Sequence, residues 1–275
     1  MDELLQSPLF QSVIVPFMAA LIVTELFQRM RLSGLAVIVA FFAALFFTND
    51  FVIWPLTATR KLIIASLLSA ALGLWLDSAR KLPRPVEMIV AALAAALATL
   101  WVLWPAFMQV IPDTRWYFAG GMVAFVVWTT LASLGLHNDS VRASAAGWGL
   151  GIGTGLAAWM GSSDLLGKFG VAVAMASAAY LFIQGMSGLR LPAGRIYVVP
   201  AGLIAGLVAA TAVTLGKLPW IILPVLALIP LLARIPFGKT SSVRIQSLII
   251  SFVVLIPAVA AVFFLWQHAG NKFPG

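Results

Sequence analysis

The side chains able to do chemistry in this chain stand at the margins of its apolar segments. All nine carboxylates, Asp2, Glu3, Glu25, Asp50, Asp77, Glu87, Asp113, Asp139 and Asp164, fall at or beyond the ends of apolar runs. Proton relays and ion sites in membranes instead hold charge in mid-span, where it is costly and kept only for use. Glu25 lies deepest, and Arg29 follows it at the four-residue spacing of an interfacial helical ion pair. The two histidines, His137 and His268, flank different apolar segments, so neither a bis-histidine haem nor a zinc site has its ligands together. His137-Asn138-Asp139 reads as a polar turn in which Asp139, or Ser140 after it, caps a helix. With no nucleophile beside a base, no carboxylate pair and no metal cluster, the expectation is a non-enzyme without catalytic residues, cofactor or metal.

Two stretches resemble nucleotide sites and fail the comparison. Residues 233–240 fit the phosphate loop G-x-x-x-x-G-K-[ST] at Gly238, Lys239 and Thr240, but Ala233 stands in place of the first glycine. The stretch also lies between two apolar segments rather than after a strand, so Thr240, Ser241 or Ser242 is expected to cap the following helix. The second stretch carries Gly147, Gly149, Gly151, Gly153 and Gly155 at every other position, and no register of it gives G-x-G-x-x-G. At about 100° per residue, Gly147, Gly151 and Gly155 line one groove of a helix, while Gly149, Gly153 and Ala157 line another on nearly the opposite side. Trp148, Ile152, Leu156 and Trp159 form a bulky ridge between them. Small residues let neighbouring backbones approach closely within a membrane, so these glycines predict a central helix packed on two sides. Gly202 and Gly206 repeat the pattern at four-residue spacing.

Hydroxyls do occur at mid-depth, on Ser66, Ser69, Thr129, Thr130, Ser133, Thr154, Ser177, Tyr180, Thr211 and Thr214. Each can bond a carbonyl of its own helix. If the segments bearing them pack together, Thr130, Thr154 and Tyr180 would line one mildly polar cavity, and they are the expected solute contacts.

The elements that position these residues are membrane spans. Of 275 residues, 62% are hydrophobic and 9% charged, and the mean hydropathy is +1.06, against roughly a quarter charged in soluble domains. Taking about 20 apolar residues as one crossing, the chain reads as ten spans over 9–28, 32–48, 62–76, 86–104, 116–136, 143–161, 169–186, 196–215, 220–232 and 245–266. They form an all-α polytopic membrane protein with a single embedded domain over 1–275 and no soluble domain. Spans four, six, seven and eight are rich in small residues and are expected at the centre. The acidic Met1-Asp2-Glu3 lacks the basic region of a cleaved signal peptide, so the first span is expected to be retained. The absence of cysteine excludes disulfides and thiolate ligands.

Charge sets the orientation. With the N-terminus outside, the inner loops hold Arg29, Arg31, Arg80, Lys81, Arg84, Arg142, Arg190, Arg195, Arg234, Lys239 and Arg244, which is 11 of the 17 basic residues. That bias predicts both termini on the outer, periplasmic side of an inner membrane. The net charge of +8 then serves topology and contact with anionic lipid headgroups rather than nucleic acid or nucleotide. Lys81-Leu82-Pro83 and Arg190-Leu191-Pro192, 109 residues apart, hint at related hairpins.

Ten spans in fewer than 300 residues resembles the drug and metabolite transporters in size and span count, although those proteins keep both termini inside and carry a clear duplication. The function expected is a permease for a small apolar or weakly polar solute, running through the small-residue bundle. The alternative is a scaffold or accessory subunit held among other membrane proteins.

Overall fold

The computed structural model describes residues 7, 10–30, 32–47, 55–79, 82–216, 218–236 and 242–268, apart from the side chain of Arg29. Among these residues there is no strand and there are ten helical segments. In chain order they are α1 (Phe10–Phe27, opening in a π turn), α2 (Ser33–Phe47), α3 (Ala58–Ser78), α4 (Arg84–Phe107), α5 (Pro112–Leu134), α6 (Ser140–Gly161), α7 (Asp164–Ser187), α8 (Gly194–Gly216), α9 (Ile222–Leu232) and α10 (Val243–His268). Seven of them, α1, α3, α4, α5, α7, α8 and α10, are long and apolar enough to cross a membrane, so the chain is a multi-pass membrane protein. The glycine helix α6 has 22 residues and is not among the seven; its glycines, serines and threonine lower its hydropathy without shortening it. The 11 residues of α9 extend only about 16 Å, roughly half of a bilayer's hydrocarbon thickness.

Local chemistry sets the helix ends. Thr57 caps α3 through the N–H of Arg60, and Asp139 caps α6 through that of Arg142. Proline fills the first turn of α4 and α5, where no intrahelical donor is needed. Ser242 accepts from the N–H of Ile245 at the start of α10, and residues 237–241 of the phosphate-loop-like stretch lie outside the described residues. Pro105 in α4 cannot donate to the carbonyl of Trp101, and Lys61 of α3 supplies the missing proton at 3.1 Å.

Helix α8 is the axis of the bundle. Its most apolar 18-residue stretch is 100% buried, that of α7 83%, and that of α4 33%. The expectation of a central fourth span is therefore corrected. Ala91, Ala95 and Thr99 of α4 face inward while Leu93 and Leu97 face outward, because a helix that is small on one side only belongs at the edge. Around α8, backbones meet at glycine. A Cβ on Gly151 would stand 2.7 Å from Cα of Ala174, and one on Gly155 would stand 2.7 Å from the N of Val171, so this groove of α6 lies on α7. On the other side, Gly149 faces Val254 and Ile229, and Gly153 faces Leu226 and Ala258, so that groove receives α9 and α10. Gly202 and Gly206 of α8 meet Ser133, Thr129 and Val126 of α5. Packing of this kind replaces the hydrophobic effect, which gives little drive for helix association inside lipid.

The described residues flanking the connections α1–α2, α3–α4, α5–α6, α7–α8 and α9–α10 gather at one end. Ser33 reaches the carbonyl of Pro192, Arg190 reaches Asp139, Arg142 reaches the carbonyl of Ile235, and Arg244 reaches that of Met186. Consecutive helices therefore alternate in direction, and this end carries most of the arginines among the described residues.

Gly151→Ala forces α6 and α7 apart and is expected to cost about 1–3 kcal/mol. Gly120→Ala, at a position where a Cβ meets nothing within 4 Å, leaves stability unchanged or slightly raised. Thermal unfolding of the two variants in detergent checks the pair, and equal midpoints would remove the glycine contact from this account.

Candidate functional site

The residues expected to share a cavity are held separately. Thr130 donates to the carbonyl of Val126 at 2.8 Å, and Thr154 lies 3.5 Å from that of Gly151, so both hydroxyls are spent on their own helices. Tyr180 points toward the basic end and donates to the carbonyl of Pro192 at 2.6 Å beside Ser33. All three are fully buried, and none lines either of two openings, one at each end of the bundle.

The larger opening is an apolar groove of about 850 Å³ at the end opposite the arginines. One wall is α5, which presents Tyr117, Gly121, Met122, Phe125 and Trp128; the back is Val213 and Thr214 of α8; the other wall is α9, with Leu223, Pro224 and Ala227. Nothing lies within 4 Å of a Cβ placed on Gly121, so the wall there is backbone facing open space. Tyr117 and Trp220 stand exposed at the mouth.

The α9 wall is broken for a readable reason. Pro230 has no N–H for the carbonyl of Leu226, and the N–H of Leu231 turns to Leu228 instead of Ala227. The carbonyl of Ala227 is thereby released, and the indole N–H of Trp128 takes it at 3.0 Å. A single side-chain bond thus ties the break in α9 to the rigid α5–α8 side across the floor of the groove.

The second opening is a polar cleft of about 620 Å³ at the basic end, bordered by Gln28, Asp77, His137, Asn138, Arg190 and Arg195. Its far wall is a charged clamp on the first turn of α8. The carboxylate of Asp77, at the end of α3, accepts the N–H groups of Arg195 and Ile196 at 2.9 and 2.8 Å, satisfying two of the orphan donors of that helix terminus where negative charge is favoured. The Arg195 side chain turns to Glu87 of α4, with Nε and an Nη on the two oxygens at 3.1 and 2.5 Å, a bidentate pair. Glu87 is only 4% exposed, and Gly34 of α2 and Gly73 of α3 let the first turn of α8 in against their backbones.

His137 holds its Nδ1 against the carbonyl of Leu134 at 2.8 Å. Glu25 is exposed and accepts from Gln28 rather than entering the core. No group of three or more His, Asp or Glu side chains able to hold a metal comes together among the described residues.

Residue-by-residue reading missed the clamp, because Asp77 and Glu87 each stand at an ordinary helix end and Arg195 is more than 100 residues away. The one signal was the paired Lys81-Leu82-Pro83 and Arg190-Leu191-Pro192, since these two loops flank the three clamp residues. No family model matches the chain, and no curated protein matches it.

Removing one member of a buried ion pair strands the other. Glu87→Ala is expected to cost about 3 kcal/mol, the low end for such pairs because Arg195 keeps 20% exposure. Glu87→Ala with Arg195→Met should recover part of that loss. A double variant no more stable than Glu87→Ala, measured by thermal unfolding, would argue against direct coupling.

Proposed function

We propose that this multi-pass membrane protein is permease-like and takes up a solute with an apolar body and at most a weakly polar end in the groove between α5 and α9. The observation that carries this reading is the open apolar groove beside a proline-interrupted half-helix, since interrupted helices of that kind commonly form transporter sites. A route through the small-residue centre finds less support, because α6, α7 and α8 meet there backbone to backbone. In the proposed cycle α5 and α8 stay fixed. The Trp128 bond to Ala227 breaks and re-forms, and α9 swings to open the groove or close it over the solute.

The same reading counts all ten helices as membrane-embedded, with the basic end inside and both termini outside an inner membrane. The distribution of arginine and lysine supports this orientation. An impermeant maleimide applied to intact cells should label Thr114→Cys and leave Asn138→Cys unlabelled until lysis. The opposite pattern inverts the topology.

The groove is tested with a long-chain alcohol bearing a photoactivatable diazirine, added to the protein in lipid nanodiscs. Labelling of Met122 and Phe125 should be saturable and lost in Gly121→Trp, which fills the groove without displacing any atom near its Cβ. Labelling of the outward-facing Leu93 and Ile256 should be unsaturable and unchanged. In proteoliposomes the native protein should move the same probe faster than protein-free vesicles do, and Gly121→Trp should abolish the difference. Unsaturable labelling in the groove would sink the reading; saturable labelling without faster movement would reduce the protein to a binder.

A further inference from the structure

Residues 189–193 form a short strap across the basic end, between two glycines held in the left-handed region. Gly188, at φ 70°, ends α7, and Gly194, at φ 67°, opens α8. An L side chain is disfavoured at both, and at Gly194 a Cβ would also stand 2.7 Å from Oδ2 of Asp77. Between them the strap is pinned at few polar points. The carbonyl of Pro192 accepts from Tyr180 at 2.6 Å, and Ser33, which donates to the Tyr180 hydroxyl, stands 3.1 Å from the same carbonyl. Arg190, half exposed, meets Asp139 at 3.5 Å and donates to Gln246 at 2.8 Å. Above the strap lies the 620 Å³ cleft.

Below it runs a seam of hydrogen-bonding side chains in the middle of the apolar bundle. Gln184 joins Ser140 at 2.6 Å and Ser144 at 3.2 Å; Tyr180 joins Ser33 at 2.6 Å; one layer deeper, Tyr197 donates to Ser177 at 2.8 Å, with the two tyrosine rings 4.9 Å apart. Every one of these groups is buried. Amide and hydroxyl groups can exchange one another for water or a polar solute at little loss, because each is both donor and acceptor. Ser140 already borders the cleft, and Ser144 lies one turn beneath it.

We infer that residues 189–193 are a lid, hinged at Gly188 and Gly194, that closes this polar seam to the basic end and admits water or a small uncharged hydrogen-bonding solute when it lifts. Its polar pins are neutral hydrogen bonds and one half-exposed ion pair, individually weak, and only the small Ala193 and the single Leu191 side chain bury apolar surface beside them, whereas the body of α8 beyond it is locked against glycine on several sides. The lid stands at the other end of the molecule from the groove and does not rest on the permease reading.

The absence of native cysteine gives a direct test. Ser144→Cys in purified protein is exposed to a small methanethiosulfonate reagent, alone and combined with Tyr180→Phe and Arg190→Gln, which remove two pins and keep the tyrosine ring. Thr211→Cys, fully buried further along α8, is the control. The labelling rate at Ser144→Cys should rise at least tenfold in the unpinned background while Thr211→Cys stays unreactive. An unchanged rate overturns the lid, and an equal rise at Thr211→Cys overturns it too by showing general loosening. If Tyr180→Phe does not fold, Arg190→Gln alone should give a smaller rise in the same direction, and no rise there counts against the proposal.

Discussion

Backbone-to-backbone contact at glycine is the constraint on which the rest of this structure depends. Where α6 crosses α7, a Cβ on Gly170 would be only 3.1 Å from the carbonyl oxygen of Gly151, and neither helix has a side chain to hold the other away. Glycine in a helix costs about 1 kcal/mol relative to alanine, so a series of five along α6 is retained against propensity. What offsets it is dispersion and weak Cα–H···O contact over an interface where lipid offers no hydrophobic drive. The consequence is a dense α6–α7–α8 centre, tightest where the glycines of α6 meet α7, with no room for a solute at those crossings.

Because the centre is closed, any space for a ligand is pushed outward and to the ends. The groove exists where α5 also presents glycine, at Gly121, but no helix moves in to fill the position. The proline-broken α9 stands opposite, tied by one indole N–H. The clamp of Asp77, Glu87 and Arg195 does the reverse at the other end, fixing the first turn of α8 to α3 and α4 with charge-assisted hydrogen bonds. The rigid axis is thus flanked by the two edges proposed to move, an apolar one beside α9 and a polar one beneath residues 189–193.

Much of the scaffold was legible in the sequence, for reasons that are local. Apolar runs separated by proline and basic residues mark helices directly, and the 3.6-residue period separates Gly147, Gly151 and Gly155 from Gly149 and Gly153 without knowledge of their partners. Span four misled because counting alanines does not reveal whether they share one face, and in α4 the inward set is Ala91 and Ala95 with leucines opposite. Thr130, Thr154 and Tyr180 were brought together only by assuming that their helices pack closely at those heights. The clamp and the groove were hidden because both depend on residues about 100 positions apart, such as Glu87 with Arg195 and Trp128 with Ala227.

The proposed uptake depends on α9 moving against an otherwise rigid core. Spin labels on cysteines at Tyr117 and Trp220, exposed on either side of the groove mouth, report that motion as a distance distribution by pulsed electron resonance. A second pair at Leu97 and Phe182, exposed on α4 and α7, reports the core. A broad or two-peaked distribution is expected across the groove, narrowing when an apolar ligand is added, with a single narrow peak between α4 and α7. Equally narrow distributions for both pairs, unchanged by ligand, would contradict it.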